Sequence, residues 1–371
     1  MRDAQVRYAR VRTGRRRRAW KLISRAALLL AIAALPVAFS AWIDPARLVA
    51  PRATEGDIAR VLAAGSNVTN YANYDDRAIE RAMAPMRARP EGLVLGSSRM
   101  QVLRDAQCAM RSAHCATFVN GAMQGATLDD MLGVYGLYDA AGRRPNRVLI
   151  GVDPWTESAT GEGWRSLAAE RAMVLRRAGI AASPRRELLA LWARSVRTVA
   201  TPEYFRLALY SFRRYGASGL AWQPTKQEQN AEKTKLPDGS VVWPALPDDN
   251  AERAAARFAA TELAHDARFH NLKRRPPGRD DALERFLRYV QSEGVSTTVV
   301  LVPFPAAVFD ASKRMSGDSL AAEERRVRTI AARAGARVVG SYDPRRAGVI
   351  TREFFDEDHL RPEALARLVA R

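Results

Sequence analysis

Four short apolar runs stand out along the second part of the chain: GLVLG at 92–96, CATFVN at 115–120, RVLIGVD at 147–153 and STTVVLVPF at 296–304. A shorter fifth, ARVVGS, lies at 336–341. Runs of this length, rich in Val, Leu and Ile and bounded by Gly or polar residues, predict buried strands. Between them the period lengthens to that of a helix. LDDMLGVYGLYDA follows the second run, DALERFLRYVQ precedes the fourth and AAEERRVRTIAARAG precedes the fifth. Helical PEALARLVA closes the chain. Continuous apolar strands alternating with helices predict a parallel sheet covered on both faces.

The alternation breaks at 154–280, which is too long for one crossover and holds several helical segments, among them RRELLALWARSVRTV and EYFRLALYSFRRYG. KLPDGSVVWP at 235–244 predicts a hairpin turning at Asp-Gly. We read 156–280 as a mostly helical insertion packed over or beside the sheet, and 44–90 as a helix-rich approach segment. No internal repeat is visible.

The N-terminus follows a different rule. Residues 1–25 carry ten Arg or Lys against the single acid Asp3. The 18 uncharged residues AALLLAIAALPVAFSAWI follow at 26–43. As a helix they would span about 27 Å, close to the thickness of a bilayer core. The basic head would stay in the cytoplasm by the positive-inside rule, with Trp42 at the far interface and 44–371 outside. A cleaved signal peptide ending near Ala38-Phe-Ser40 is the rival reading, and the Arg run also fits a twin-arginine export signal. The organisation expected is a basic head at 1–25, a signal-anchor at 26–43, the approach at 44–90 and one domain at 91–371.

Composition narrows the picture. Apolar residues make up 47% of the 371, enough for a real core, and the formal charge is +19. Outside the head the basic excess is diffuse, and no aromatic-basic array or finger spacing points to nucleic acid. The two cysteines, Cys108 and Cys115, could close a short disulfide loop in an oxidising compartment or stay as separate thiols. His114 beside them makes no zinc set, and no metal or cofactor is expected.

GLVLGSSR, 92–99, stops its apolar run at Gly-Ser-Ser, which suits either a capped turn or a nucleophile. A serine nucleophile needs a base and a group that orients the base. Of the four histidines, His359 alone sits in an acid pattern, EFFDEDHLRP at 353–362. Asp356 lies three positions earlier, where it can accept from one ring nitrogen and leave the other facing a serine. The bland alternative is that Asp356 caps the C-terminal helix and His359 is a surface residue. Arg99 likewise has two readings, a holder of a substrate anion beside the serine or an ordinary ion-pairing side chain. Asn67-Val-Thr69 also matches a glycosylation sequon.

The order of these blocks resembles the SGNH (GDSL-like) hydrolase superfamily. GSS at 96–98 stands where that family has Gly-Asp-Ser, so Ser98 matches the nucleophile and Ser97 the Asp. NGAMQGAT at 120–127 is similar to its second block, Asn120 followed by Gly125, whose N–H would help form the oxyanion hole with that of Ser98. Asp356, His359 and Leu360 match the final Asp-x-x-His-Leu. The third block departs: Gly151-Val-Asp-Pro-Trp155 puts Asp153 where an oxyanion-donating Asn is usual, and a bare carboxylate would repel the oxyanion.

The resemblance implies a three-layer α/β/α fold on a mainly parallel, flavodoxin-like sheet of about five strands, with a catalytic Ser98, His359 and Asp356. Asn120, Asp153 and Arg99 are the further candidates for substrate binding. With the anchor, the departures look like those of membrane-anchored SGNH-like proteins of cell-envelope polysaccharide O-acylation. That implies a membrane-bound O-acyltransferase as partner, an envelope glycan as substrate, and a single-pass protein of the inner membrane whose main domain faces the periplasm. The altered third block keeps a second reading open, a non-catalytic scaffold of such a modification complex.

Overall fold

The computed structural model describes residues 2–45, 48, 54–69, 75–104, 118–157, 167–216, 222–247, 249–270, 272 and 281–371. It holds nine strands among them: β1 Asn67–Thr69, β2 Gly92–Leu95, β3 Phe118–Asn120, β4 Arg147–Gly151, β5 Gln223–Thr225, β6 Thr234–Lys235, β7 Val241–Val242, β8 Ser296–Leu301 and β9 Arg337–Gly340. The five apolar runs supply β2, β3, β4, β8 and β9. These form one sheet in the order β3-β2-β4-β8-β9, every neighbouring pair parallel.

Alternate residues of this sheet enter different cores, as the period of two requires. Leu93, Leu95, Val148, Ile150, Val299 and Leu301 join a cluster with Tyr135 of the helix Leu128–Ala140, Phe286 of Ala282–Ser292 and Val327 of Ser319–Ala334. Val94, Val300 and Val339 join another with Phe354, Leu360 and Leu365, the last on the helix Pro362–Val369. Each such fully buried side chain contributes roughly 1.5–3 kcal/mol of transfer free energy. The helix Ala306–Ser316, opening just after Pro305, was not foreseen from the hydrophobic pattern.

The chain divides into two compact units, Met1–Ala50 with Trp192–Ala221, and Pro51–Leu191 with Trp222–Arg371. The 156–280 insertion is therefore shared between them. In the smaller unit the helix Arg2–Ile43 includes 21 residues, Ile23–Ile43, long and apolar enough to cross a membrane. Its C-terminal end is gripped by the helix Pro202–Tyr215: Phe39 meets Phe205 and Phe212 edge-on at 5.8 and 5.6 Å, and Tyr204 donates to Asp44 Oδ1 at 2.7 Å.

In the larger unit the approach segment does not stand apart. Its β1 pairs antiparallel with β5 and β6 of the insertion, making a second sheet in the order β5-β1-β6-β7. A third cluster, Ile58, Leu62, Val68, Ile79, Met83 and Val241, seals approach and insertion together. The expected Asp-Gly hairpin is the β6–β7 pair.

Candidate active site

Ser98 sits in a turn just past β2. Gly96 precedes it at φ +153°, and a Cβ there would lie 2.7 Å from Met100 Cγ. Gly151, at the end of β4, is crowded by the same Met100 side chain. The two glycines thus let the central strands close around Met100. The turn is held by Met100 N–H donating to Ser97 O at 3.0 Å and Gln101 N–H to Ser98 O at 3.2 Å. Ser97 is buried and its Oγ accepts from Arg99 N at 3.2 Å, whereas Ser98 is half-buried.

The loop between Phe354 and Leu360, which pair as an isolated bridge, brings His359 to this turn. Its Nε2 is 2.8 Å from Ser98 Oγ, and its Nδ1 is 3.0 Å from both oxygens of Asp356. Asp356 Oδ1 also accepts from the backbone N–H of Asp358 at 2.9 Å and of His359 at 2.8 Å. Burial pushes the Asp356 carboxyl up, but the His359 hydrogen bond and charge and the two backbone donors outweigh it and hold it below the usual range. An anchored carboxylate facing Nδ1 selects the tautomer whose Nε2 accepts the serine proton.

The three substrate-binding candidates turn out otherwise. Arg99 is 1% exposed and lies inside the domain. It donates to Asp153 Oδ1 at 2.9 Å and to the carbonyls of Asp358, Val302 and Pro303, and its guanidinium stands 4.0 Å over the Phe304 ring. Asp153 is equally buried. Burial pushes its carboxyl above the usual value, with Arg99 and the Ser97 hydroxyl opposing. The Asp153 carboxylate is therefore turned onto a guanidinium. Asn120 is also buried: its amide donates to the carbonyls of Met100, Gln101 and Leu103 and accepts from Ala122 N. Its work is to fix the segment after Ser98. Arg99 and Asn120 have their polar atoms committed inside the fold, and Asp153 commits its Oδ1 to Arg99, so all three act as supports of the site.

Gly125 is exposed, at φ +61°, in the loop after β3. Met123 N–H donates to Gly96 O at 3.0 Å, which ties this loop to the serine turn. Arg77 of the helix Asp76–Met83 donates to Gln124 O at 3.2 Å and ion-pairs with Asp130, so the approach segment holds the residue before Gly125. Among the described residues neither the Ser98 nor the Gly125 N–H has a hydrogen-bond partner. Free backbone donors of this kind suit a developing oxyanion.

Sequence reading missed what the insertion adds. Val241 N–H donates to Gln101 O at 2.8 Å, and Asn120 N–H to Asp238 O at 2.7 Å, docking the β6–β7 hairpin on the serine turn. Trp243, just past β7, packs its ring 4.6 Å from the His359 ring, and Lys233 Nζ stands 3.5 Å over the indole. The signal was the apolar-aromatic tail of KLPDGSVVWP, but nothing local in it tells which loop the hairpin meets. Asp358 was also missed; Arg268 donates to its Oδ2 at 2.7 Å from the side opposite Arg99.

Cys108, Cys115 and His114 lie outside the described residues. Asn67 of the sequon is buried in β1, donating to Lys226 O and Gln227 O. No family model, curated protein or solved structure matches the chain.

Proposed function

We propose that this chain is an acyl-ester enzyme of SGNH type, an O-acyltransferase or esterase acting on cell-envelope polysaccharide through an acyl-Ser98 intermediate. The observation that carries it is the continuous relay from Asp356 through His359 to a half-buried Ser98, at 3.0 and 2.8 Å. The relay stands at the carboxyl ends of β2 and β4. Counting only the large sheet, its order is 2-1-3-4-5, and the chain reverses direction across the sheet at those two strands. That order and the two cores support a three-layer, flavodoxin-like fold.

In the first step Ser98 Oγ attacks the acyl carbonyl carbon while its proton passes to His359 Nε2. The oxyanion develops toward the N–H groups of Ser98 and Gly125, each such donor worth about 3 kcal/mol in serine enzymes. Collapse of the intermediate expels the leaving oxygen, which takes the proton from Nε2. A hydroxyl of the glycan, or water, then attacks the acyl-serine with Nε2 as base. Asp356 stabilises the imidazolium in both halves without taking the proton.

The helix Ile23–Ile43 and the basic residues before it support a single-pass anchor in the inner membrane with the catalytic unit in the periplasm. A membrane-bound O-acyltransferase is the partner that would supply the acyl group. The test is labelling of the full-length protein with a fluorophosphonate. Ser98 should be labelled, Ser98→Ala should not, and Asp356→Asn should label about 10³–10⁴-fold more slowly while remaining folded. Absence of labelling in the wild type, or labelling unchanged in Ser98→Ala, overturns the reading and leaves a scaffold role.

A further inference from the structure

The insertion places a cation beside the relay for which that mechanism has no use. Lys233 and Lys235 stand two residues apart in one short segment, yet their surroundings differ. Lys235 is fully buried and donates to Asp76 Oδ1 at 3.1 Å. Lys233 is half-buried, its ammonium 3.5 Å over the Trp243 ring, and among the described residues no carboxylate or carbonyl bonds to it. Burial pulls its ammonium below the usual value, against the carboxylates of Asp356 and Asp76. Trp243 in turn touches the His359 imidazole and stacks on Phe355 at 6.0 Å, and its indole N–H is buried with no partner among the described residues.

A cation kept partly out of water by an aromatic face, with no anion of its own, is attracted to any anion that reaches it. We propose that Lys233 and Trp243 form a subsite for an anionic group of the substrate, a carboxylate or a phosphate, next to the acyl-serine centre. The subsite rests on Ser98 being the nucleophile of the relay that Trp243 adjoins through His359. Between Lys233 and Ser98 stand the indole and the imidazole, so the anion it holds belongs to the body of the glycan and not to the carbonyl under attack.

Calorimetry on the full chain in nonionic micelles tests this, with Ser98→Ala as background to prevent turnover. The probes are trigalacturonate for carboxylates, glucose 6-phosphate for phosphate and maltotriose as the neutral control. At least one anionic probe should bind about tenfold more tightly than maltotriose and lose that margin as salt rises. Whichever binds more tightly identifies the anion. Lys233→Met should remove the margin and Lys233→Arg should keep it. Lys233→Gln serves as the second uncharged variant, each being checked by its urea midpoint. Equal binding of all three probes, no binding of either anion, or a margin intact in both uncharged variants overturns the proposal. Failed fluorophosphonate labelling with the margin present would instead sink the acyl-serine reading alone.

Discussion

Replacing Arg99 by Met keeps the length and apolar stem of the side chain while deleting its five donors. In the native fold these donors serve Asp153 Oδ1 and three backbone carbonyls, all inside the domain. Asp358 keeps Arg268 after the change, but Asp153 loses its ion pair outright. Removing one partner of a buried pair costs about 3–5 kcal/mol, because the remaining charge must be protonated or hydrated. The carbonyls of Val302 and Pro303 add part of the usual cost of about 1–3 kcal/mol for a buried polar group left alone. These costs fall on one shared network and overlap, so the expected loss is about 3–5 kcal/mol rather than the simple total. Urea unfolding of the full chain in nonionic micelles, followed by tryptophan fluorescence, reads this directly as a lowered midpoint at unchanged slope. Adding Asp153→Asn should recover part of the loss, since the orphaned carboxylate is gone, whereas Arg99→Lys should restore little because one ammonium cannot reach four acceptors. A midpoint for Arg99→Met within about 0.5 kcal/mol of wild type, the range of an ordinary surface substitution, would refute the buried-network account.

Gly239 turns the β6–β7 hairpin at φ +91°, and a Cβ there would run into the Asn120 carbonyl. Gly239→Ala should therefore shift the hairpin, move Trp243 off His359 and slow fluorophosphonate labelling of Ser98, and an unchanged labelling rate would count against the docking. The acid limb of stability should be set by carboxyls held low in the fold. Asp139 is buried, which pushes it up, but hydrogen bonds from Tyr289, Arg144 and Arg177 outweigh this, and Asp356 behaves likewise. Their contribution is fully present above the unfolded value of about 3.9 and is lost as pH falls through the lower folded values. Urea midpoints measured from pH 6 downward should thus fall less steeply in Asp139→Asn, which starts lower at neutral pH.

The large sheet was legible because its strands are buried on both faces and so carry unbroken Val, Leu and Ile runs. β1, β5, β6 and β7 were mostly not, since strands of two or three residues in a half-exposed sheet leave no period to read. The hairpin turn was visible through Asp238-Gly239, but its partners, β1 and the Gln101 carbonyl, are over 130 residues away in sequence and could not be inferred. Ser98, Asp356 and His359 were readable as types in order, and their contact came only with the fold. Arg99 was open between an ion pair and an anion-holder, and Asn120 and Asp153 were candidate binding groups; the fold buries all three. A polar side chain next to a nucleophile looks the same in sequence whether its partners are ligand atoms or buried carbonyls.

The Arg99–Asp153 pair also alters what a carboxylate at position 153 means for the proposed chemistry. A bare carboxylate about 7 Å from a developing oxyanion would raise its energy by about 2 kcal/mol at an effective dielectric of 20, nearly cancelling one backbone donor. Here Arg99 pairs with Asp153 and Asp358, and Arg268 pairs with Asp358 and Asp266, so three carboxylates share two guanidiniums. In the proposed reaction Asp153 has no proton to donate to the oxyanion, and the Arg99 guanidinium paired with it offsets its charge. What it does is hold Arg99, which fixes the carbonyls of Val302, Pro303 and Asp358 and, through Asp358, the backbone on which His359 sits. Under the proposed function, position 153 thus serves to keep His359 in place, and the groups left to meet a substrate are the backbone donors and Lys233.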